Sequence, residues 1–318
     1  MRLLSPTVGI SPQPISHWLL LLPVLAVLIW SVNIIVTQLA VGVISPFGLS
    51  FYRWAFAFVV LTPVLGWRAW HERAEIRRVW PKLAVFGFLG MSMYQGLAYV
   101  AAHSTTATNM GVINALLPIA TLFIVWWMLK EKPSRYAIFG SVLSLFGLLF
   151  LLGHGQPLSV FQAGVHLGDA LMLLAIFLYA LYGVLVRRWP LRLSLASSIY
   201  CQIGFGALFQ LPIMLVLGFD PIRWSNIGLI AYSVLLPSIV APFFWVRTIQ
   251  LIGPNRTSVF LNLLPIFTAL IAVIWLQEQW LYYHSIGLAV TVLGVLLAQY
   301  SPRQAVAAMD AAAPSPKP

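Results

Sequence analysis

Long apolar runs dominate the chain, and short polar stretches rich in charge, Gly or Pro separate them. Most of these runs approach the roughly 20 residues that a helix needs to cross about 30 Å of hydrocarbon. Inside lipid a segment must satisfy its own backbone hydrogen bonds, which favours helices for runs this long. The pattern predicts an all-α integral membrane protein with ten transmembrane helices, over residues 17–40, 46–66, 83–102, 107–129, 136–152, 167–186, 194–217, 226–249, 256–276 and 282–300.

The composition excludes a soluble enzyme and a disordered chain. Of 318 residues, 61% are hydrophobic and 8% are charged, whereas soluble domains carry about 25% charged residues. The single Cys201 excludes an intramolecular disulfide, and the six dispersed histidines predict no metal site. The chain has no phosphate-binding loop, nucleophile elbow or zinc-protease motif, so we expect no cofactor, no ATP use and no enzyme activity.

The basic residues lie on one side of the predicted membrane. A net charge of +11 would indicate nucleic-acid binding in a soluble protein, but cytoplasmic loops of membrane proteins also accumulate Lys and Arg. If the ten helices alternate in direction, the opposite loops hold only Arg223. The other side then holds Arg2, Arg68, Arg73, Arg77, Arg78, Lys82, Lys130, Lys132, Arg135, Arg187, Arg188, Arg192, Arg256, Arg303 and Lys317.

This asymmetry predicts a multi-pass protein of the bacterial inner membrane with both termini cytoplasmic. Its expected partners are the lipid bilayer and a small-molecule substrate, without nucleic acid, and both a monomer and a homodimer remain open. The tails, residues 1–16 and 301–318, contain little that could be buried and are predicted to be disordered.

The sequence repeats itself at an offset of 147 residues. Residues 112–131 are VINALLPIATLFIVWWMLKE, and residues 259–278 are VFLNLLPIFTALIAVIWLQE. Chance matches of Leu and Ile are common in apolar segments, but matched Pro, Thr, Glu and Gly residues are much harder to obtain. These matches are Pro118/Pro265, Thr121/Thr268, Glu131/Glu278, Gly140/Gly287 and Gly147/Gly294. The offset divides the chain into two five-helix repeats, residues 17–152 and 153–300.

Five helices per repeat is an odd number, so the second copy must enter the membrane from the opposite side. Two inverted repeats are the plan of many secondary transporters, which bind their solute near the midplane between the copies. Two similar halves in opposite orientation allow inward-open and outward-open packings of comparable energy. The alternative is an old duplication that persists as a static scaffold.

Several short motifs resemble one transporter family. They are Trp30-Ser31-x-Asn33, Arg53, the Leu-Leu-Pro…Glu segments 116–131 and 263–278, Gly168-Asp169-Ala170, and Tyr179-Ala-Leu-Tyr182. Together they resemble the drug/metabolite transporter superfamily, EamA type, over residues 17–300. The resemblance implies ten helices in two inverted repeats and export as the direction of transport. Within the family, the aromatic-rich helices are most similar to bacterial exporters of aromatic amino acids.

Polar and aromatic side chains inside predicted membrane helices are the candidate substrate ligands, because such groups usually face protein or water. An aromatic cavity would suit an aromatic or apolar solute, although interfacial belts also use Trp and Tyr. The candidates are Asn33, Tyr94, Gln95, Tyr99, Asn114, Tyr179, Tyr182, Ser238, Trp245 and Asn262. Prolines within helices permit bending, and the candidate hinges are Pro118, Pro237, Pro242 and Pro265, with static kinks as the alternative.

Charged residues near the helices have more than one interpretation. Arg53 could anchor a backbone carbonyl, extend outward to the interface or attract a substrate carboxylate. Glu131 and Glu278 suggest capping or gate contacts with nearby loops. Asp169 lies in the first turn of a predicted helix, where a carboxylate is favourable. The small-residue stripes around Gly140 and its repeat partner predict close helix packing within one chain, with dimerisation as the alternative.

The sequence therefore predicts an exporter of small organic solutes, with aromatic or large apolar amino acids as the preferred class. No Asp, Glu or His lies deep within a predicted helix, and proton-coupled pumps commonly use such residues. Facilitated diffusion is the first hypothesis for that reason. The alternatives are an exporter of drug-like cations or other metabolites with the same fold, and a membrane scaffold that transports nothing.

Overall fold

The computed structural model describes residues 17–40, 42–102, 104–105, 110, 113–114, 116–160, 167–276 and 281–300, and within these ranges it contains helices and no β-strand. The helices are α1 Leu21–Leu39, α2 Pro46–His71, α3 Arg73–Phe86, α4 Tyr94–Ala102, α5 Leu117–Leu129, α6 Arg135–Leu152, α7 Leu167–Arg188, α8 Leu195–Leu217, α9 Trp224–Val234, α10 Ala241–Ile252, α11 Pro254–Val259, α12 Leu264–Leu276 and α13 Tyr282–Gln299. Short irregular helices complete the list: 3₁₀ turns His17–Leu20 and Phe260–Leu263, and π-helical segments Gly87–Met93 and Leu235–Val240.

Several predicted helices are found at their predicted positions, and two have different ends. The prediction for 194–217, for example, matches α8 within one residue. The second helix continues to His71 instead of ending at 66, and the third begins at Arg73 instead of 83. Hydropathy marks where the chain leaves the apolar layer, whereas a helix continues as long as its backbone bonds do. Part of the predicted helix 107–129, and both tails, lie outside the described residues.

Six of the described helices are long and apolar enough to cross a membrane. They are Phe47–His71, Arg135–Leu152, Leu167–Arg188, Leu195–Leu217, Trp224–Ile252 and Tyr282–Gln299. Two further apolar helices, Leu21–Val36 and Leu117–Leu129, are shorter. The fold class is therefore all-α with several membrane spans, and the count of ten remains a prediction.

The described surface differs from that of a soluble protein because many large apolar side chains are exposed on it. Val64, Trp67 and Val216 expose 71%, 72% and 83% of their surface, while the hydroxyls of Ser238 and Thr291 are fully buried. Large apolar side chains on the outside and polar groups on the inside are what a lipid environment favours.

Helices α6 and α13 pack backbone against backbone through the glycines that match in the repeat. A methyl group added to Gly140 would lie 2.6 Å from the carbonyl oxygen of Gly294, and one added to Gly147 would lie 3.0 Å from that of Gly287. Only glycine permits this approach. The small-residue stripes thus pack against each other within one chain, as the sequence predicted.

Helices α2 and α8 run antiparallel, and each has its first turn capped by an acid that follows the other helix. The Ser45 backbone N–H donates to Asp220 Oδ1 over 3.1 Å at one end. At the other end the Ser194 backbone N–H donates to Glu72 Oε2 over 3.0 Å. Both serines are N-caps, so each carboxylate also lies near the positive end of a helix dipole.

The surroundings of the Glu72 carboxyl group lower its pKa. Partial burial of the carboxyl raises its pKa, but hydrogen bonds from Ser194 and Ser197 and the charge of Arg68 outweigh burial and leave the pKa below the usual value. The ion pair with Arg68 spans 3.6 Å from Nε to Oε1. The ionised carboxylate is therefore the form that the fold stabilises.

Candidate functional site

A cavity of about 180 Å³ lies where α1, α2, α7 and α10 meet the two π-helical segments. On the same measure one water molecule needs roughly 10–15 Å³, so the cavity has room for a small organic solute. Its walls are mostly aromatic and aliphatic, with a few polar groups. The described lining residues are Trp30, Asn33, Ile34, Arg53, Trp54, Gly90, Met91, Tyr94, Gln95, Asn114, Tyr179, Tyr182, Pro237, Pro242, Trp245, Val246, Leu261 and Leu264.

The π-helical segment Leu235–Val240 shapes one wall of the cavity because it presents a backbone carbonyl that a regular helix would use internally. Pro242 has no N–H, so regular bonding is interrupted within this stretch. Pro237 O instead accepts a bond from Trp30 Nε1 over 3.2 Å. The Ser238 hydroxyl donates to Ser233 O over 2.7 Å, five residues back. π-Bulges of this kind often occur at functional sites.

Arg53 brings a formal positive charge to the cavity wall while remaining only 3% exposed. Its Nε donates to Ser238 Oγ over 2.8 Å, and its Nη1 donates to Gln95 Oε1 over 3.0 Å. Its Nη2 contacts Pro237 O over 3.4 Å. The guanidinium carbon lies 4.8 Å from the centre of the Trp54 ring, within cation–π range. Arg53 is thus fixed between segments that are distant in sequence, and it does not extend outward to the interface.

Aromatic rings form much of the remaining wall. The rings of Tyr94 and Tyr179 have centroids 4.8 Å apart, and those of Tyr179 and Tyr182 are 5.7 Å apart. Tyr94 Oη donates to Asn114 Oδ1 over 3.0 Å, which orients both side chains. Because Tyr182 lies directly over Gly90, a methyl group there would come within 2.8 Å of the Tyr182 ring.

A second, much smaller cavity lies beside the first, and both are lined by Tyr179 and Trp245. The Trp245 ring is held edge-on to Trp30, with centroids 5.2 Å apart. The other walls of the small cavity include Gly183 and Pro254. Tyr179 and Trp245 are therefore shared walls of two neighbouring spaces, the smaller of which is about the size of one water molecule.

The structure gathers seven of the ten predicted ligands around the larger cavity: Asn33, Tyr94, Gln95, Asn114, Tyr179, Tyr182 and Trp245. Ser238 is fully buried behind Arg53, where its oxygen accepts from the guanidinium. Asn262 lies away from the cavity, and its Nδ2 donates to Ser144 Oγ over 2.6 Å. The Tyr99 side chain lies outside the described residues.

Some of the predicted hinge prolines also line the cavity, and others do not. Pro237 and Pro242 line the cavity, whereas Pro118 is buried near the start of α5, away from the cavity wall. Pro265 is the second residue of α12, and its side chain lies outside the described residues. The hinge roles themselves remain predictions.

Sequence reasoning missed several lining residues. Trp54 carried a signal, because an aromatic residue next to a membrane arginine suggests a cation–π contact. Ile34, Val246 and Leu261 carried none, since apolar side chains occur throughout such helices.

Glu131 and Asp169 make polar contacts near the ends of helices. Glu131 forms an ion pair with Arg187, with 2.9 Å between Oε1 and Nη2. The Asp169 carboxylate accepts a hydrogen bond from the Thr105 hydroxyl. Glu278 lies outside the described residues. The contact of Glu131 joins the end of α5 to the last turn of α7, and the predicted gate or capping role remains a prediction.

Comparison with known proteins places the chain among transporters. The sequence profile of the EamA-like transporter family matches residues 17–153 and, a second time, residues 166–300. The chain belongs to this family. One similar protein is an uncharacterized transporter of Archaeoglobus fulgidus, 27% identical over 281 residues that cover 87% of this chain and 96% of that protein.

Other known proteins show a similar degree of likeness to this chain. The uncharacterized transporter YyaM of Bacillus subtilis is 26% identical over 263 residues, 81% of this chain and 86% of its own length. A WAT1-related protein of Arabidopsis thaliana is 27% identical over 282 residues, 77% of this chain and 72% of its own. A solved crystal structure aligns with a TM-score of 0.71 at 19% identity over 88% of this chain and 97% of that chain, which concerns the fold alone.

Membership of the EamA-like family bears on the role of the cavity. The chain is a multi-span membrane transporter of small solutes. A solute-sized space among membrane helices, walled by aromatic rings and fixed polar groups, is the kind of site that such a protein needs.

Proposed function

We propose that this protein is a bacterial inner-membrane exporter of aromatic or large apolar amino acids, working by alternating access. The observation that carries the proposal is the aromatic cavity, which is lined by tyrosines and tryptophans in mutual ring contact together with an arginine and several amides. Rings bind an aromatic or apolar side chain by stacking and area burial, while amides suit the polar end. The resemblance of the aromatic-rich helices to the bacterial aromatic amino-acid exporter YddG, which was drawn from the sequence, is part of this proposal.

The proposed architecture is ten membrane helices in two inverted five-helix repeats, residues 17–152 and 153–300. Three observations support it. The family profile matches the chain twice. The matched glycines of α6 and α13 contact each other reciprocally, with Gly140 opposite Gly294 and Gly147 opposite Gly287. The caps between α2 and α8 are reciprocal as well, since each helix begins beside the acid that follows the other.

The distribution of Lys and Arg among the loops supports an orientation of the chain in the membrane. With both termini cytoplasmic, the Glu72–Ser194 contact lies on the cytoplasmic side and the Asp220–Ser45 contact on the opposite side. The small cavity beyond Tyr179 and Trp245 then lies toward the cytoplasm. Substrate would pass between Tyr179 and Trp245 to reach the large cavity, and bending around Pro237 and Pro242 would change which side is open.

Counterflow in proteoliposomes tests the proposal. Vesicles loaded with unlabelled phenylalanine should accumulate labelled phenylalanine transiently, without an imposed proton gradient, because the hypothesis is facilitated diffusion. Tyr179→Ala removes a ring shared by both cavities and should reduce accumulation severalfold. Phe139→Ala, at a 61% exposed position on α6, is the matched control and should leave it unchanged.

The aromatic walls of the cavity also support a second candidate function. Aromatic walls also attract organic cations through cation–π contacts, so an exporter of drug-like cations with the same fold is the alternative. If an organic cation undergoes counterflow and amino acids neither undergo it nor compete, the amino-acid proposal is wrong and the alternative stands.

A further inference from the structure

The described lining of the large cavity has a net positive formal charge. Arg53 is the one formally charged side chain among these described lining residues, which otherwise contribute rings, aliphatic groups, amides and backbone. A charge at a protein wall with little surrounding water interacts strongly with an incoming charge. The cavity therefore attracts the negative end of a solute and repels a positive one.

The guanidinium is also held in a way that suits a carboxylate. Three of its contacts, to Ser238 Oγ, Gln95 Oε1 and Pro237 O, are to neutral oxygens. Ser238 and Pro237 belong to the π-helical segment Leu235–Val240, whereas Gln95 contributes a long side chain that itself lines the cavity. A carboxylate oxygen could replace Gln95 Oε1, and hydrogen bonds between two ionised groups are roughly twice as strong as neutral ones.

The lining residues also leave room for a solute that has a carboxylate and an apolar body. Arg53, beside the Trp54 ring, lines the same cavity as Tyr94 and Tyr179, whose rings contact each other at a tilt. A solute with its carboxylate at Arg53 can place an apolar body against these rings. An amine without a carboxylate would have to bring its own positive charge into the same space.

We infer that Arg53 is the specificity-determining residue of this cavity and that the solutes it takes are carboxylates with an aromatic or large apolar body. The inference rests on the proposed function for the location of the site and goes further by naming the recognised group. It requires a carboxylate and does not require an ammonium group. Organic cations are thereby rejected by charge.

Three probes that share a ring test the inference: phenylalanine, 3-phenylpropionate, which lacks the ammonium, and phenethylamine, which lacks the carboxylate. Binding is measured as the ligand-dependent rise in unfolding temperature of purified protein, a readout that does not need transport. The two carboxylates should bind at least tenfold more tightly than phenethylamine. This expectation reflects the usual strength of hydrogen bonds to charged groups.

Variants assign the effect to the guanidinium. Arg53→Gln should weaken carboxylate binding by about 10- to 100-fold and abolish the preference over phenethylamine. Arg53→Lys keeps the positive charge and loses the planar, forked guanidinium, so part of the preference for carboxylates over phenethylamine should remain. Arg135→Gln, the same change at an exposed position at the start of α6, is the matched control and should bind as the unmodified protein does.

Every outcome decides the inference. Equal binding of phenethylamine and the carboxylates, or an unchanged preference in Arg53→Gln, overturns it. If Arg53→Gln fails to fold, the preference of the unmodified protein and its reduction in Arg53→Lys decide instead. Carboxylate-selective binding without counterflow would refute the proposed transport function and leave the inference standing, whereas no binding of any probe refutes both.

Discussion

The tight contact between α6 and α13 gives a sharp prediction for Gly147→Ala. The new methyl group would lie 2.6 Å from both the backbone nitrogen and Oγ1 of Thr291, and 3.0 Å from the carbonyl oxygen of Gly287. Ordinary van der Waals contacts of a methyl carbon are 3.4–4 Å. Two of these three atoms belong to the backbone, so a side-chain rotation cannot relieve the clash, and the helices must separate.

The expected cost follows from that geometry. Forcing an extra methyl into a well-packed interior destabilises a protein by about 1–3 kcal/mol. Gly228→Ala on α9 is the matched control, because nothing lies within 4 Å of its added methyl group. There the same substitution should stabilise the helix by roughly 0.5–1 kcal/mol, since alanine loses less backbone entropy than glycine. The two variants should therefore shift stability in opposite directions.

Thermal unfolding of both variants in one detergent, followed by size-exclusion chromatography, measures the effect. Gly147→Ala should unfold at a lower temperature than the unmodified protein, and Gly228→Ala at a higher one. The reasoning fails if Gly147→Ala is as stable as the unmodified protein while Gly228→Ala behaves as expected. A change in oligomeric state without loss of stability would indicate instead that the glycine stripe joins two copies of the chain.

Two further predictions concern polar contacts. The pKa of Glu72 is lower in the folded protein, so its contact with Ser194 contributes stability above the unfolded-state pKa of roughly 4.3, and this contribution is lost as pH falls through the folded value. Unfolding temperatures measured from about pH 6 to about pH 3 should fall less steeply for Glu72→Gln, and parallel curves would contradict this. Tyr94→Phe removes the bond to Asn114 and keeps the ring, so the half-saturation concentration for phenylalanine counterflow should change by less than about tenfold. Tyr94→Ala should change it more, and equal effects of the two variants would show that the ring contributes nothing.

The helical fold could be predicted from the sequence because the membrane imposes a single simple rule. A run such as Arg135–Leu152 cannot leave backbone groups unsatisfied in lipid, so its length and composition are sufficient to identify it. Helix ends outside the apolar layer obey other rules. The extension of α2 to His71 depends on continued backbone bonding among polar residues, which hydropathy does not report.

The site was predicted only in part because its key contacts join distant segments. Arg53 and Ser238 are 185 positions apart, and no local pattern pairs them. Ser238 and Asn262 both suggested ligands, since polar groups in membrane helices need partners. The partners turned out to be Arg53 and Ser144, within the protein. The π-helical segment that contains Pro237 could not be predicted either, because a proline indicates that regular helical bonding is disturbed without indicating the resulting form.

The exchange of acids between α2 and α8 has a consequence for biosynthesis. Ser45 leaves the ribosome 175 positions before Asp220, the residue that completes the start of its helix. At 5–20 residues per second the wait is roughly 9–35 s. Throughout that interval the early helices sit in the bilayer with an incomplete turn, and the nascent chain acquires its final arrangement only when the later segment has been inserted beside them.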